Sequence, residues 1–307
     1  MAKISIIGAG NVGATCAHWL LVKDLGEIVL LDINKDLAYG KALDLKQAGP
    51  AWGNDFNIVG TDDYKEIINS DIVIITAGLP RQPGMSRDDL LYKNKEIVQD
   101  ISKNVAKYAS ESILIVVSNP LDAMVYVAYK ITGFPKNRVI GMAGVLDTAR
   151  LTTFIADELN VPEKDISTMV LGGHGDDMVP VISQTKVNSR PLRSILSPNK
   201  IKEIIQRTRK GGAEIVNYLK TGSAYYAPGA SIALMVESIL KDAQKVLPCS
   251  VLLEGEYGVT GYFIGVPVRL GKNGVEKIIE LELDSEEREA FKKTVQRVKN
   301  LIDQIKF

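Results

Sequence analysis

Short apolar runs alternate with longer amphipathic stretches through the first half of the chain. The runs contain almost no polar positions, which is typical of strands in a parallel sheet covered by helices on both faces. The predicted strands are Lys3–Ile7, Glu27–Asp32, Ile72–Thr76, Ile113–Val117 and Arg138–Ile140. The predicted helices between them are Val12–Lys23, Asp36–Ala48, Asp88–Ala109 and Leu121–Ile131. This alternation predicts an α/β fold in which residues 1–143 form a doubly wound parallel sheet.

The second half of the chain, residues 144–307, follows a different pattern. Long amphipathic stretches predict helices at Leu146–Glu158, Asn199–Leu219, Ser231–Lys241 and Ser285–Ile305. Extended runs predict strands within Ile166–Val187 and at Val246–Leu252 and Gly261–Leu270. These segments predict a second domain of mixed α+β structure.

Charge and composition argue against several classes of function. Lysine plus arginine and aspartate plus glutamate both count 37, so the chain lacks the basic excess of a nucleic-acid-binding protein. No apolar run is long enough to span a bilayer, and the amino terminus lacks the pattern of a signal peptide. Cys16 and Cys249 are too far apart in sequence to form a zinc motif. We therefore expect a cytoplasmic protein without a nucleic-acid, membrane or metal partner.

A glycine-rich segment directly follows the first predicted strand. It reads Gly8-Ala9-Gly10-Asn11-Val12-Gly13, and a predicted helix begins within it. In such a turn the first glycine permits a tight bend, the second lets a pyrophosphate approach the backbone, and the third lets the helix pack on the strand. Asp32 ends the second predicted strand, where an acidic side chain hydrogen-bonds the ribose of a dinucleotide. Strand, turn, helix and acidic residue together predict a Rossmann domain.

Asp32 also bears on which dinucleotide is bound. A carboxylate at this position repels the 2′-phosphate of NADP, and the following Ile33 and Asn34 include no arginine to offset the repulsion. Lys35 is the only cation close by in sequence. The sequence therefore favours NAD, with NADP as the alternative.

Two arginines lie in a loop after the third strongly apolar strand. The segment Gly78–Arg87 contains two prolines and two glycines, so regular structure is not expected there. Ligands of open α/β sheets bind at this edge of the sheet, and such a loop can close over a substrate and exclude water. Arg81 and Arg87 are therefore candidate substrate ligands, although a solvated surface charge is the ordinary role of an arginine.

Polar residues also follow the next strand and begin the first helix of the second half. Asn119 lies in the segment Val117-Ser118-Asn119-Pro120, where it can hydrogen-bond a ligand or shape the turn before proline. Asp147 and Arg150 are three residues apart and share one face of a helix. Such a pair is either a surface ion pair or part of a site.

The chain has two histidines, and they lie in different settings. His18 falls within the first predicted helix beside Trp19, where we expect it to pack. His174 is surrounded by glycines in Gly172-Gly173-His174-Gly175-Asp176 and has no apolar run to pack into. An imidazole with an ordinary pKa of about 6.5 can accept and return a proton near neutral pH. A carboxylate such as Asp147 would orient the ring and raise its pKa.

Together these motifs resemble the lactate/malate dehydrogenase superfamily along nearly the whole chain, and most closely the lactate dehydrogenase-like malate dehydrogenases. They occur in the order of the family: Gly8–Gly13, Asp32, Arg81 to Arg87, Asn119, Asp147 with Arg150, and Gly173-His174-Gly175-Asp176. The resemblance implies a Rossmann domain followed by a catalytic domain. It also implies reversible oxidation of malate to oxaloacetate with NAD, a reaction of the tricarboxylic acid cycle.

The resemblance assigns a role to each motif residue. His174 would be the acid/base that takes the C2 hydroxyl proton, and Asp147 would orient and stabilise its imidazolium. Arg150 would bind the C1 carboxylate through two parallel hydrogen bonds. Arg87 would polarise the C2 carbonyl of the keto acid, and Asn119 would hydrogen-bond the same oxygen.

The resemblance extends to the cofactor and to the assembly. Asn94 and the segment Val117-Ser118-Asn119 match family contacts near the nicotinamide ribose. A homo-oligomer is implied, with a tetramer favoured over a dimer. The helices Val12–Lys23 and Ser231–Lys241 are interface candidates, although burial within the chain explains their apolar faces equally well.

Substrate choice rests on Arg81, at the position that distinguishes substrates in the family. An arginine there would pair with the second carboxylate of oxaloacetate, whereas lactate dehydrogenases typically carry glutamine. Gln82 is the neighbouring residue, and the count to Arg87 favours Arg81 as the match. Ala224 matches a position where lactate dehydrogenases carry threonine, so the resemblance implies that this smaller residue would leave room for a longer dicarboxylate. The sequence predicts a small dicarboxylate substrate, with lactate or another 2-hydroxy acid as the alternative.

Two further hypotheses come from other classes. An NAD-dependent glycosidase also begins with a dinucleotide-binding fold, but it needs a metal held by cysteine and histidine, and Cys249 has no histidine nearby in sequence. A regulatory nucleotide-binding protein would make the polar residues around His174 accidental. Both hypotheses fit the motifs less well than a dehydrogenase.

Overall fold

The computed structural model describes residues 1–79 and 87–307 of the 307-residue chain. Strands and helices alternate through its first half, with the strands almost wholly buried. The strands are β1 Lys3–Ile7, β2 Glu27–Leu31, β3 Ile58–Thr61, β4 Ile72–Ile75, β5 Ile113–Val116 and β6 Val139–Gly141. The helices are α1 Asn11–Val22, α2 Lys35–Trp52, α3 Arg87–Tyr108, α4 Leu121–Thr132 and α5 Gly144–Leu159.

The second half contains short strands, long helices and one extended antiparallel unit. Its short strands are β7 Ile166–Ser167, β8 Val170–Leu171, β9 Val179–Pro180, β10 Lys186–Val187 and β11 Arg190–Pro191. The elements that follow are α6 Pro198–Leu219, α7 Tyr226–Leu240, β12 Lys245–Glu254, β13 Thr260–Gly271, β14 Gly274–Ile278 and α8 Ser285–Ile302.

The first six strands form a parallel sheet in the order β6-β5-β4-β1-β2-β3. The order reverses at β1, which lies between β4 and β2. Loops that leave the carboxyl ends of neighbouring strands diverge at such a point and open a crevice for a ligand. The predicted α/β fold with a doubly wound parallel sheet is confirmed, and its geometry directs attention to the β1 turn.

The sheet continues beyond the first half of the chain. In the part that the structure describes, β12, β13 and β14 extend it antiparallel, and β12 joins β6 where Ser250 lies opposite Gly141. A Cβ on Gly141 would lie 2.8 Å from the Ser250 Cβ, so glycine permits this close pairing. Two extended runs do not reveal their pairing partners, and the sequence did not predict this continuity. The division into residues 1–143 and 144–307 stays a prediction.

Two of the differences between predicted and observed elements have identifiable reasons. Strand β3 was not predicted, because its four residues include the exposed Val59 and so lack a long apolar run. Helix α7 begins at Tyr226, five residues before the predicted start at Ser231. Pro228 lies in the first turn of this helix, where proline is tolerated because the backbone N–H groups have no helical partner.

Helices α1 and α7, the predicted interface candidates, pack against each other within this chain. A Cβ on Gly229 of α7 would lie 2.8 Å from the Thr15 Cγ2 and 3.0 Å from the Cys16 backbone N of α1. Both helices therefore bury apolar surface within the chain, and their role in an interface between subunits stays a prediction. None of the helices in the described ranges is long and apolar enough to cross a membrane.

Candidate active site

The turn between β1 and α1 contains three glycines with different surroundings. Gly8 has a φ of +114°, and a Cβ on it would lie 2.6 Å from the Ala77 backbone N. A Cβ on Gly13 would lie 1.9 Å from the carbonyl oxygen of Gly8. A Cβ on Gly10, by contrast, would have no described atom within 4 Å. The outer glycines are thus needed for packing, whereas Gly10 faces open space where a phosphate can approach.

The start of α1 offers unpaired backbone donors beside this space. The helix begins at Asn11, no side chain of the described residues caps it, and its first turn contains no acidic residue. The first N–H groups of a helix lack helical partners and carry a partial positive charge, which favours a bound anion. The turn therefore fits the pyrophosphate of a dinucleotide.

Asp32 closes this turn from the end of β2. One carboxylate oxygen accepts a hydrogen bond from the Ala9 backbone N–H at 2.7 Å, and the other accepts from the Asn34 backbone N–H at 2.9 Å. These bonds fix the carboxylate beside the glycine turn, where the sequence predicts contact with a ribose.

Lys41 of α2 is a cation near the turn that was not predicted from the sequence. Its Nζ lies 3.5 Å from Asn11 Oδ1, and burial lowers the pKa of Lys41 while the nearby Asp32 charge opposes the change. It lies nine positions beyond Asp32, so only the packing of α2 against the turn brings it close. Lys41 is therefore a cation near Asp32 in the described structure, whereas the Lys35 ammonium lies 3.7 Å from an Asp62 carboxylate oxygen.

Asn94 and Ser118 hold the loops at the carboxyl ends of β4 and β5. The Asn94 side chain accepts from the Leu79 N–H at 2.7 Å and donates to the carbonyl oxygens of Leu79 and Asn119 at 3.1 and 2.6 Å. The Ser118 hydroxyl donates to the Ala77 carbonyl at 2.5 Å. Asn94 is 1% exposed, and both its amide oxygen and its amide nitrogen hydrogen-bond to these loops. Its predicted contact near the nicotinamide ribose stays a prediction, as do those of Val117 and Ser118.

His174, Asp147 and Arg150 meet although the first lies far from the other two in sequence. His174 Nδ1 is 2.8 Å from one Asp147 carboxylate oxygen, and Arg150 Nη1 is 3.4 Å from the other. The Asp147 side chain is 2% exposed and His174 17%. Burial by itself lowers the pKa of His174, but the charge of Asp147 and its hydrogen bond outweigh burial and raise that pKa above its ordinary value.

The side chain of Arg150 packs against two consecutive glycines, Gly211 and Gly212, in the middle of α6. A Cβ on Gly211 would lie 3.1 Å from Arg150 Cδ, and one on Gly212 would lie 3.5 Å from Nη2. Two glycines inside a helix are unfavourable, and here they leave room for the guanidinium. Burial lowers the pKa of Arg150, opposed by Asp147, and its Nε has no hydrogen-bond partner among the described residues. The guanidinium therefore retains donors for a ligand.

A cleft of about 740 Å³ runs beside His174. It is lined by Asn119 and Asp122 from the start of α4, by the loop around His174, and by Thr294 and Arg297 of α8. The cleft is large enough for a small organic acid. Asn119 and His174 therefore face the same space.

Asp122 is a second buried carboxylate in contact with His174, and it was not among the residues predicted from the sequence. It accepts a hydrogen bond from the His174 backbone N–H at 3.1 Å and one from the Ser250 hydroxyl at 2.7 Å. The preceding Gly173 N–H donates to Thr294 Oγ1 at 3.0 Å. The signal in the sequence was an acidic residue on the apolar face of α4, which requires a partner when buried.

Three further predicted residues have separate outcomes. Arg81 lies outside the described residues. Arg87 is the first residue of α3. The roles of both arginines toward substrate stay predictions. His18, expected to pack, is exposed with its ring against Trp19.

Within the described ranges, no group of three or more histidine, cysteine or acidic side chains is placed to hold a metal ion. Cys16 and Cys249 are buried free thiols, and burial raises the pKa of both. Nothing in the described residues therefore supports the metal site that a glycosidase of this fold requires.

Comparison with known proteins gives the same assignment for both halves of the chain. Residues 2–141 match the lactate/malate dehydrogenase NAD-binding domain, and residues 144–307 match the lactate/malate dehydrogenase alpha/beta C-terminal domain. The malate dehydrogenase of Heliobacterium modesticaldum is 59% identical over 98% of this chain and 97% of that protein.

Solved structures agree. The malate dehydrogenase of Cryptosporidium parvum is 45% identical, with a TM-score of 0.96 over 98% of both chains. The lactate dehydrogenase of the same organism, solved with lactic acid and nicotinamide adenine dinucleotide, is 40% identical, with a TM-score of 0.96 over 99% of both chains. The resemblance inferred from the motifs is thereby confirmed: the chain belongs to the lactate/malate dehydrogenase family.

Proposed function

We propose that this protein is a malate dehydrogenase that interconverts malate and oxaloacetate with NAD as the cofactor. The observation that carries the proposal is the contact of His174 with Asp147 beside Arg150, in a chain 59% identical to a malate dehydrogenase. A proton-transfer group and a carboxylate-binding cation are the two functions that oxidation of a 2-hydroxy acid requires from side chains.

The imidazole of His174 performs the proton transfer. Its Nδ1 is engaged by Asp147, so Nε2 is the nitrogen left for the substrate. In malate oxidation, neutral His174 accepts the C2 hydroxyl proton, and the carboxylate of Asp147 stabilises the resulting imidazolium. In the reverse direction, the imidazolium returns the proton to the C2 oxygen. A bound nicotinamide supplies the acceptor or donor of the hydride at C2.

Arg150 holds the substrate in register with His174. Its guanidinium is anchored by Asp147 on one side and keeps further donors free of partners among the described residues. A planar guanidinium binds a carboxylate through two parallel hydrogen bonds, which fix its orientation. Placing the C1 carboxylate this way brings C2 and its oxygen toward the imidazole. Arg87 and Asn119 would polarise and hydrogen-bond that oxygen.

Arg81 decides between malate and lactate in this proposal. The fold does not discriminate, because a lactate dehydrogenase and a malate dehydrogenase superimpose on the chain with the same TM-score. An arginine facing the methyl group of pyruvate would be buried without a partner, and hydrogen bonds to charged groups are worth about 1.5–3 kcal/mol. Mismatches of this kind can discriminate by roughly 10⁴. Oxaloacetate offers the carboxylate that Arg81 needs.

Asp32 supports NAD over NADP. Its carboxylate is fixed by the Ala9 and Asn34 N–H groups where a ribose diol would lie, and a 2′-phosphate there would meet its negative charge. Lys41 and Lys35 on the neighbouring helix reduce this repulsion without removing it, so NADP remains the alternative cofactor.

A homotetramer, a cytoplasmic location and a place in the tricarboxylic acid cycle complete the proposal. They rest on the resemblance to lactate dehydrogenase-like malate dehydrogenases. Light scattering coupled to size-exclusion chromatography tests the first: a mass near four times 33.5 kDa supports the tetramer, and a monomer contradicts it.

The assay that tests the proposed function crosses two substrates with two cofactors. Initial rates are measured for oxaloacetate and pyruvate, each with NADH and NADPH, at equal concentrations. The proposal predicts that oxaloacetate with NADH gives the highest kcat/KM. A higher kcat/KM for pyruvate would contradict the role of Arg81, and a preference for NADPH would contradict that of Asp32.

Arg81→Gln sharpens the same assay. It removes the cation that pairs with the second carboxylate and leaves a shorter, uncharged polar side chain. We expect the ratio of kcat/KM for oxaloacetate over pyruvate to fall by roughly a hundredfold or more. An unchanged ratio would show that another residue selects the substrate.

A further inference from the structure

Asp122 is a buried carboxylate that the reaction as described above does not use. It lies in the first turn of α4 and is 5% exposed. Its two oxygens accept from groups on two other parts of the chain, the His174 backbone N–H at 3.1 Å and the Ser250 hydroxyl at 2.7 Å. Burying a carboxylate is unfavourable unless its oxygens are hydrogen-bonded. A buried aspartate at position 122 therefore calls for a functional or structural explanation.

The contacts of Asp122 concern the position of His174. Asp122 holds the main chain of His174, whereas Asp147 holds its ring. The adjacent Gly173 N–H is held by Thr294, so two consecutive amides of this loop are fixed by side chains from α4 and α8. Ser250 ties Asp122 to β12 at the point where the antiparallel strands join the parallel sheet. The imidazole is therefore positioned from both its ring and its backbone.

The charge of Asp122 also acts on His174. Burial raises the pKa of Asp122, while the Ser250 hydroxyl, the His174 N–H and the charge of protonated His174 oppose that rise. In turn, the negative charge of Asp122 raises the pKa of His174. The first turn of a helix favours a carboxylate, which supports ionised Asp122 in α4.

Several other charged side chains lie near the same imidazole, and they come from helices α3, α5 and α8 and from the His174 loop. Helix α5 supplies Asp147 and Arg150, whose charges act on His174 in opposite directions. The remaining charged residues lining the cleft are Asp88 of α3, Asp176 and Asp177 of the His174 loop, and Arg297 of α8, which is ion-paired with Asp177. Among these groups, the charges of Asp147, Arg150 and Asp122 have the largest effects on the pKa of His174, in that order.

We propose that Asp122 is a positioning residue for proton transfer, holding the His174 main chain in place and stabilising the protonated imidazole with its charge. This inference rests on the proposed acid/base role of His174. It differs from a purely structural role, in which Asp122 would tie α4 to β12 without affecting the proton equilibrium of the imidazole.

Asp122→Asn separates these roles. The amide oxygen can accept from the His174 N–H, and the amide nitrogen can donate to Ser250 Oγ, so both contacts can persist without the charge. Glu287→Gln is the matched control. Glu287 is also a buried carboxylate that accepts from a backbone N–H and a serine hydroxyl, both of Ser183. It accepts in addition from the Asp284 N–H, and it does not line the cleft.

The experiment compares both variants with the wild-type enzyme in three measurements. These are the Tm, the Kd for NADH, and the pH dependence of kcat/KM for reduction of the preferred 2-keto acid. Reduction requires protonated His174, so the rate falls as the pH rises through the pKa of His174. We expect Asp122→Asn to keep its Kd for NADH, to lose roughly tenfold to a hundredfold in kcat, and to shift this fall to lower pH. We expect the pH profile of Glu287→Gln to match that of the wild type.

An Asp122→Asn profile that falls at the wild-type pH would overturn the inference, whatever happens to Tm. If Asp122→Asn does not fold, Ser250→Ala serves instead. It leaves the carboxylate in place, removes a hydrogen bond that favours its charged form, and is expected to shift the profile to lower pH by a smaller amount; no shift would again overturn the inference. Wild-type enzyme without 2-keto acid reductase activity would defeat the proposed function itself, which is a separate outcome.

Discussion

The glycine turn at Gly8–Gly13 and the His174 cluster, formed by His174, Asp147, Arg150 and Asp122, are built in different ways. The turn and Asp32 come from one continuous β1–α1–β2 unit, and their geometry is set by backbone and by missing side chains. The cluster gathers side chains from α4, α5 and a loop, over contacts that span as many as 52 positions. The glycine turn is defined by its backbone shape, whereas the His174 cluster is defined by a network of charges and hydrogen bonds.

This difference teaches where each function resides. The glycine turn would bind the cofactor by letting its phosphates approach the backbone closely, so substitutions in the turn should alter cofactor affinity or folding. A charge network sets proton affinities, so changes in it should alter turnover and its pH dependence. The comparison would fail if a substitution in the glycine turn changed turnover without changing cofactor affinity, or if a substitution in the His174 cluster changed cofactor affinity.

The largest effect is expected from His174→Ala. It removes the group that exchanges the proton, and general acid/base catalysis contributes roughly 10²–10⁴ in rate. We expect kcat to fall by that factor while the Kd for NADH, measured by fluorescence titration, changes by about twofold or less. Turnover near the wild-type rate would show that another group is the acid/base.

Asp147→Asn should lower turnover by a smaller factor and move its pH dependence. Asp147 raises the pKa of His174 through its charge and hydrogen bond, so removing the charge lowers that pKa. The pH at which reduction is lost should therefore move down, and oxidation of malate, which needs neutral His174, should persist to lower pH. Profiles of kcat/KM against pH check both directions. A shift to higher pH would contradict the role of Asp147.

Within the turn, Gly10→Ala should affect cofactor binding, whereas Gly13→Ala should affect stability. Gly10 has extended backbone that alanine adopts, and its Cβ would meet no described atom within 4 Å, so we expect an unchanged Tm and roughly tenfold weaker NADH binding. A Cβ on Gly13 would collide with the Gly8 carbonyl at 1.9 Å, so we expect destabilisation by about 1–3 kcal/mol. Denaturant unfolding and NADH titration measure both. Unaltered NADH affinity in Gly10→Ala would contradict the assigned phosphate space.

The smallest effect is expected from Gly211→Ala, with Gly40→Ala as its control. The added methyl would lie 3.1 Å from Arg150 Cδ and should displace the guanidinium by a few tenths of an ångström. We expect KM for oxaloacetate to rise a few-fold, with kcat much less affected. Gly40, in the middle of α2, has no described atom within 4 Å of its Cβ position, and alanine there should add about 0.5–1 kcal/mol of stability without changing KM. Equal KM values in both variants would show that α6 does not position Arg150.

The glycine turn could be predicted from the sequence because its causes are local. Gly8, Gly13 and Asp32 owe their roles to a strand, a tight turn and a helix that follow one another, and each leaves a periodic or steric signal. The parallel sheet was predictable for the same reason, since its strands other than β3 are short, largely apolar runs.

The His174 cluster could be predicted only in part. The glycines around His174 and the spacing of Asp147 and Arg150 marked them as candidates, but their contact depends on how α5 and the loop pack. Asp122 left only the signal of an acidic residue on the apolar face of α4, and Lys41 left none, because the partners of both lie on other elements. The continuation of the sheet through β12 was not predicted either, since an apolar run does not specify which strand it pairs with.

The central claim is that an imidazole paired with Asp147 carries the proton between enzyme and substrate. The most direct test is the pH dependence of kcat/KM for the wild-type enzyme in both directions. The account predicts that oxaloacetate reduction falls and malate oxidation rises through one common pKa, above the ordinary histidine value of about 6.5. Changes of the same sign in both directions, or a midpoint at or below the ordinary value, would contradict it.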